Sequence, residues 1–353
     1  MILIGDCRDV LKTLDENSID ACVTDPPYGL SFMGKSWDYD VPSADTWREV
    51  YRVLKPGAHL LSFFGSRTYH RGVVQIEDAG FEIRDQIMWV YGSGFPKSLD
   101  VSKAIDKAAA TDAARQWDGW GTALKPSHEP IVVARKPLIG TVAENVQRFE
   151  TGAINIDGCR ISTSDDLNGG AYAVNGKRSV SQSLHGNTGM NQPGKTVGSE
   201  FCQPTGRWPA NLIHDGSDEV LAGFPSEAGA AAPVHKLKAD KFRNSYGALK
   251  GNVDEAGSAF RNDKGSAARF FYCAKASRSE RGEGNNHPTV KPLALMHYLV
   301  RLVTPPGGTV IDPFAGSGST ILAALAEGFK PIGVELDPKH AEVIEARLVE
   351  YLV

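Results

Sequence analysis

The chain has 353 residues, 41% of them hydrophobic, enough for one large core and a second, smaller module. Its net charge of −4 argues against a uniformly basic protein, and no run of about 18 apolar residues offers a membrane span. The five cysteines, Cys7, Cys22, Cys159, Cys202 and Cys273, are scattered with no C-x-x-C pair, which predicts neither zinc nor disulfides and fits a reducing cytoplasm.

Taken in order, Met1 to Asp6 predicts a short strand rather than a secretory signal, because no basic region precedes its apolar residues. A buried strand over 21–24 ends at Asp25-Pro26-Pro27-Tyr28, and an amphipathic helix over 44–54 is stopped by Lys55-Pro56-Gly57. Further strands are predicted over 59–64, 83–91 and 131–134, with an Ala-rich helix over 101–117 before the last. Strands spaced by helices predict a parallel, doubly wound α/β sheet.

From about 152 to 282 the character changes. Gly, Ser, Asn and Pro become dense, yet Trp208, Phe242, Tyr246, Phe260, Phe270, Phe271 and Tyr272 are too many aromatics for a purely solvated linker. A loop-rich inserted domain is expected, mobile around 165–200 and 230–265. Over 158–282, 16 Lys and Arg stand against 12 Asp and Glu, leaving the acidic excess to the rest of the chain. Regularity returns with a strand over 309–311, a helix over 319–327 closed by Gly328, a strand over 332–334 ending at Glu335, and a helix over 338–351.

Two runs carry chemistry. Asp312-Pro313-Phe314-Ala315-Gly316-Ser317-Gly318-Ser319-Thr320 is a strand that breaks into a glycine turn and then a helix, bringing bare backbone close to a ligand. A P-loop would need a lysine after Gly318, and a dinucleotide turn would need a third glycine where Ile321 stands. Glu335, at the tip of the next strand, is placed to accept from ribose hydroxyls, so an adenosine ligand without phosphates fits, namely S-adenosylmethionine.

The Asp25 run offers a carboxylate, a stiffened turn and a ring. An exocyclic base amine is a weak nucleophile until its hydrogens are drawn to acceptors, a task suited to the Asp25 carboxylate and the Pro26 carbonyl, with Pro27 stiffening the turn and Tyr28 stacking on an extruded base. None of the cysteines follows a proline, which disfavours methylation at a ring carbon.

These motifs resemble those of the amino DNA methyltransferases that make N6-methyladenine or N4-methylcytosine. The order of the motifs, catalytic run first and cofactor run last, is similar to the circularly ordered β group. His287-Pro288-Thr289-Val290-Lys291-Pro292 resembles that family's element at the methionine end of the cofactor, Gly5-Asp6-Cys7 the segment against its adenine, and His128-Glu129-Pro130 the one near the target base. Gly206-Arg207-Trp208-Pro209-Ala210-Asn211 and Arg269-Phe270-Phe271-Tyr272 resemble segments of phage and prophage members.

The resemblance implies a Rossmann-like methyltransferase domain split into a catalytic half (1–150) and a cofactor half (283–353) around a target recognition domain (151–282). It implies catalytic roles for Asp25, Pro26, Pro27 and Tyr28. Phe314, Gly316 and Gly318 would line the methionine side, with Asp312 in the same turn. Thr289 and Lys291 would orient the cofactor carboxylate, and Asp6 and Glu335 would meet the adenosine. Double-stranded DNA is the implied partner, without membrane or metal, with Arg67, Arg207, Arg261, Arg269 and Lys275 as phosphate-contact candidates. Asp at position 25 favours N6 of adenine, with a site-specific role in restriction-modification. N4-cytosine methylation and an inactive DNA- or cofactor-binding module remain alternatives, and monomer and homodimer both stay open.

Overall fold

A computed structural model describes residues 1–30, 38–109, 112–163, 173–174, 177–178, 205–228, 243–244, 247–248, 265–275 and 290–352. It divides the chain into a larger unit, Met1–Cys159, Pro209–Val220 and Phe271–Val353, and a smaller one, Arg160–Trp208 and Leu221–Phe270.

The larger unit is built on one nine-stranded sheet. Its strands are β1 (Ile2–Ile4), β2 (Ile19–Thr24), β3 (Leu54–Phe63), β4 (Glu82–Val90), β5 (His128–Arg135), β6 (Leu212–His214), β7 (Tyr272–Cys273), β8 (Thr309–Asp312) and β9 (Lys330–Glu335), in the spatial order β1-β9-β8-β2-β3-β5-β4-β6-β7. All neighbours run parallel except at β5, which is antiparallel to both β3 and β4. This corrects the expectation of a parallel sheet. Residue 91 leads into a long excursion that returns at His128 to the end of the sheet it left, so the next strand must run back between β3 and β4.

Helices cover both faces, as a doubly wound sheet requires. They are α1 (Cys7–Val10), α2 (Ala44–Val53), α3 (Tyr69–Asp78), α5 (Val142–Phe149), α6 (Leu293–Val303), α7 (Ser319–Ala326) and α8 (Pro338–Leu352), while α4 (Val101–Ala109) packs against Asp112–Trp117. Strand alternation sends Ala21, Val23, Leu61 and Phe63 into one core with α6 and α7. Cys22, Leu60 and Ile311 go to the opposite core with α2 and α3. In α2 the buried side chains Trp47, Val50 and Val53 fall three apart on one stripe, each contributing about 1.5–3 kcal/mol by burial. The nearly all-round burial of α6 explains why a periodicity argument passes over it.

Two expected boundaries shift. The Lys55-Pro56-Gly57 stop lies inside β3 as a wide bulge: Ile19 pairs with Leu54, and Ala21 next pairs with His59. Asn145 of α5, wholly buried, pins the bulge by donating to the Pro56 carbonyl at 2.9 Å and to that of Thr151 at 2.8 Å. The helix expected over 101–117 is α4 followed by a separate 3-10 segment, Asp112–Trp117. In addition, β6 and β7, which the sequence places inside the loop-rich 151–282 segment, belong to the large sheet.

Among its described residues the smaller unit contains three two-stranded antiparallel ladders: Ile161–Ser162 with Gly206–Arg207, Ala173–Val174 with Lys177–Arg178, and Arg243–Asn244 with Gly247–Ala248. The stretches expected to be mobile lie almost wholly outside the described residues.

Candidate functional site

The carboxyl ends of β1, β9, β8 and β2 lie together, because these four strands are mutually parallel neighbours. The turns that leave them, Gly5 to Arg8, Glu335 to Asp337, Asp312 to Ser317 and Asp25 to Tyr28, line one cavity of about 500 Å³. That volume is in the range of small-molecule sites. Its position follows the rule that open α/β sheets bind ligands beyond their strand carboxyl ends.

At one end of the cavity four polar side chains meet. The Tyr28 hydroxyl donates to Asp25 Oδ1 at 2.7 Å and lies 3.1 Å from Glu129 Oε2. The Lys291 ammonium donates to Asp25 Oδ2 at 2.6 Å, to the Tyr28 oxygen at 3.1 Å, and reaches Glu129 Oε2 at 3.2 Å. Lys291 is only 8% exposed. Burial alone would lower its pKa, but the Asp25 and Glu129 carboxylates outweigh this and hold it above the ordinary lysine value. Burial, reinforced by the same two carboxylates, pushes the Tyr28 phenol well above its usual range. Tyr91, where β4 ends, is likewise pushed up to about 12, by burial and by Glu129.

The Asp25 turn is held from behind by Asp38. Its buried carboxylate accepts from the backbone N–H of Tyr28 at 2.7 Å, Gly29 at 2.9 Å and Leu30 at 3.2 Å. The Thr68 hydroxyl donates to the Tyr28 carbonyl at 2.6 Å. Carbonyls and amides that the two prolines cannot pair within the turn are thus matched by side chains.

The other end is the glycine turn. Gly316 takes a positive φ of 52°, and its N–H donates to Glu335 Oε2 at 2.8 Å. The Asp337 N–H donates to Glu335 Oε1 at 2.9 Å. Asp312 works inside the turn: it accepts from Thr24 and Thr320 hydroxyls at 2.6 Å each and from the Phe314 N–H at 3.0 Å. Burial pushes Asp312 up to about 6, partly countered by these three bonds. Buried Arg347 of α8 donates to the Ser317 carbonyl and, at 3.2 Å, to its hydroxyl.

The expected site residues therefore fall into groups. Asp25, Pro26, Pro27, Tyr28, Asp6, Lys291, Asp312, Phe314, Gly316 and Glu335 all line the cavity. Asp6 caps α1 and its carboxyl is held below the usual range by Arg8, which donates to it through side chain and backbone. Gly318 is not among the lining residues. A side chain there would meet Ile344 of α8 at 2.8 Å, so its small size serves packing. Lys291 sits at the Asp25 end, and the Tyr28 hydroxyl is committed there too. Thr289, His287 and Arg261 lie outside the described residues.

Asp38 escaped the sequence argument altogether, since nothing local marks an aspartate that caps a turn ten residues away. Glu129 was legible only as a neighbour of the target base. Among the described residues no group of His, Cys, Asp or Glu is arranged to hold a metal ion, and no helix is long and apolar enough to cross a membrane.

The Type II methyltransferase M.HindIII of Haemophilus influenzae is 26% identical over 193 residues, 41% of this chain and 61% of that protein. The DNA adenine methyltransferase YhdJ of Escherichia coli K12 is 42% identical over 66 residues, 19% of this chain and 22% of that one. The chain thus covers less than two thirds of either relative. The cytosine-N4-specific PvuII DNA methyltransferase structure matches at a TM-score of 0.48 and 16% identity, over 98% of this chain and 85% of that chain. A family profile described as DNA methylase, spanning N6 and N4 enzymes, matches residues 19–346, nearly the whole sequence. With a cavity that joins the Asp25 turn to the Gly316 turn, and a family match across both, the chain belongs to the N6-adenine and N4-cytosine DNA methylases.

Proposed function

We propose that the chain transfers a methyl group from S-adenosylmethionine to the exocyclic N6 of an adenine rotated out of double-stranded DNA. The observation that carries this is the Asp25 carboxylate, fixed through both oxygens at the end of β2 and sharing one cavity with the glycine turn and Glu335.

The donor set suits the cofactor. Glu335 Oε2 spends one lone-pair site on the Gly316 N–H and keeps one to accept a ribose hydroxyl, while Oε1 accepts the Asp337 N–H and faces His340 Nδ1 at 3.4 Å. Asp6 and Phe314 line the same cavity, and the Phe314 ring is held edge-on to Trp47 at 6.2 Å. When bound, the cofactor supplies an electrophilic methyl group.

The protein's own work is at the amine. Each Asp25 oxygen likewise retains an acceptor site, so the carboxylate can draw an amine hydrogen and free the nitrogen lone pair without reorganising. Lys291 keeps its charge there, so Asp25 faces a fixed cation and stays an acceptor.

Asp at position 25 favours adenine, by the resemblance noted above; cytosine N4 would present the same amine chemistry. The smaller unit, Arg160–Trp208 and Leu221–Phe270, rather than the whole of 151–282, is assigned to reading the target sequence. In the smaller unit Arg160 lies over the exposed Trp208 ring at 5.5 Å, and Arg207 and Arg269 lie over Phe270 at 4.5 and 4.4 Å. Cations interleaved with rings suit a phosphate backbone and unstacked bases.

The test is incubation with labelled S-adenosylmethionine and unmethylated bacterial genomic DNA, digestion to nucleosides and separation by mass. N6-methyladenine is expected; N4-methylcytosine would overturn the choice of base, and no methylated nucleoside the activity itself. Asp25→Ala is expected to abolish transfer while cofactor binding persists, and full activity in that variant would overturn the mechanism.

A further inference from the structure

We infer that Glu129 and Lys291 are positioning residues for Asp25, and that Lys291 serves this carboxylate rather than the cofactor's; the inference rests on the methyl-transfer activity proposed above.

The hydrogen count leads to it. A lysine ammonium has three protons. At Lys291 three acceptors stand within reach: Asp25 Oδ2 at 2.6 Å, Tyr28 Oη at 3.1 Å and Glu129 Oε2 at 3.2 Å. The single Tyr28 hydroxyl proton goes to Asp25 Oδ1 at 2.7 Å. Every donor proton in the cluster is committed, so none is left for a third carboxylate. To orient the cofactor carboxylate, as the family resemblance implies, Lys291 would have to abandon a partner while nearly buried.

Geometry supports the same assignment. Asp25 is tied through both oxygens, to groups arriving from different parts of the chain, so rotation of its carboxylate breaks at least one bond. Glu129 holds the other side of the ammonium, which fixes where Lys291 sits. Charge matters as well. Two carboxylates around one ammonium leave a net negative cluster, so Asp25 is oriented without being neutralised and keeps its pull on an amine hydrogen. Glu129 also helps offset the burial of Lys291, since it adds a second carboxylate beside a desolvated ammonium.

The fold explains how Glu129 gets there. A strand parallel to its neighbours would begin at the opposite end of the sheet. Because β5 is reversed, its first residues, His128 and Glu129, lie beside the carboxyl ends of β3 and β4, and Glu129 lines the cavity.

The experiment compares wild type, Glu129→Gln and Lys291→Met as full-length proteins. It measures single-turnover methyl transfer at saturating DNA and cofactor, the cofactor Kd by calorimetry, and Tm. Both variants are expected to transfer about 10- to 100-fold more slowly, as for small misplacements of a reacting group, with the cofactor Kd within about threefold of wild type. A Kd raised more than about tenfold by Lys291→Met, with transfer restored at saturating cofactor, would give Lys291 to the cofactor and overturn the inference. Wild-type transfer by Glu129→Gln would overturn it for Glu129. Should Lys291→Met fail to fold, Glu129→Gln, nearly isosteric and still able to accept, carries the test. A wild type that methylates no DNA overturns the activity itself; an active wild type with unaffected variants overturns this inference alone.

Discussion

Removing Asp38 tests whether the turn behind Tyr28 is held by one side chain. Asp38→Ala leaves three backbone N–H groups, those of Tyr28, Gly29 and Leu30, without their acceptor. A buried donor left unpaired costs about 1–3 kcal/mol. Leu30 is exposed, so its N–H recovers a water partner, and two donors remain to be counted. With partial relaxation of the loop the cost is about 2–3 kcal/mol. If it falls on the ordering of the Asp25 turn, the competent fraction drops by roughly 30- to 150-fold, at 1.4 kcal/mol per factor of ten.

Asp38→Asn should be milder. Its amide oxygen can still accept from Tyr28 and Gly29, and only the longest bond, to Leu30, is lost, for a reduction of about 3- to 10-fold. The assay is single-turnover methyl transfer at saturating cofactor and DNA, with urea unfolding run in parallel to show whether the loss is local. Transfer by Asp38→Ala within about threefold of wild type would refute the reasoning, whatever the unfolding curve shows.

Three further outcomes follow from the cofactor side. Gly318→Ala places a methyl group at a φ of 80° and 2.8 Å from Ile344, and should lower stability by about 2–3 kcal/mol, with Ile344→Ala in the same chain recovering part of the clash as read by urea unfolding. Arg347→Met removes the link between α8 and the Ser317 carbonyl and should weaken cofactor binding about 5- to 20-fold by calorimetry, with a lowered Tm. Asp312 carries a folded-state pKa of about 6 against 3.8 in the unfolded chain, so the native state binds the extra proton between those values. Stability from this group is therefore present below about pH 4 and lost as pH rises to about 6; relative to Asp312→Asn, wild type should lose roughly 2–3 kcal/mol across that window in urea titrations.

The strand ends and turns at the two motifs were legible because everything they need is local. Thr24 to Tyr28 contains its own strand end and breaker, Asp312 to Thr320 its own strand end, breaker and helix start, and Glu335 follows one βα step later. The partners that fix them were not. Lys291 meets Asp25 across 266 positions and Tyr28 meets Glu129 across 101, and no periodicity reports a contact at that distance. The reversal of β5 was hidden for a related reason. A run such as Ile131-Val132-Val133-Ala134 predicts a buried strand but carries no sign of its direction, which is set by where residues 91–127 deliver the chain. Similarly, β6 and β7 are only three and two residues long, too short to stand out against a Gly- and Asn-rich background.

The strand order has a consequence for how the molecule is made. β2 lies in the middle of the sheet, with β3 on one side and β8 on the other. β3 follows within some 30 residues, whereas β8 is the product of codons about 285 positions later. At a ribosomal pace of about 5–20 residues per second, the apolar Ala21-Cys22-Val23 edge waits roughly 15–60 s for its second neighbour. A nascent chain in that interval presents an unpaired parallel edge, and its cores still lack Val310, Ile311, Ala323, Ala324 and Phe329. Assembly is thus a late, long-range event, and chaperone demand should be concentrated on the chain before residue 309 appears.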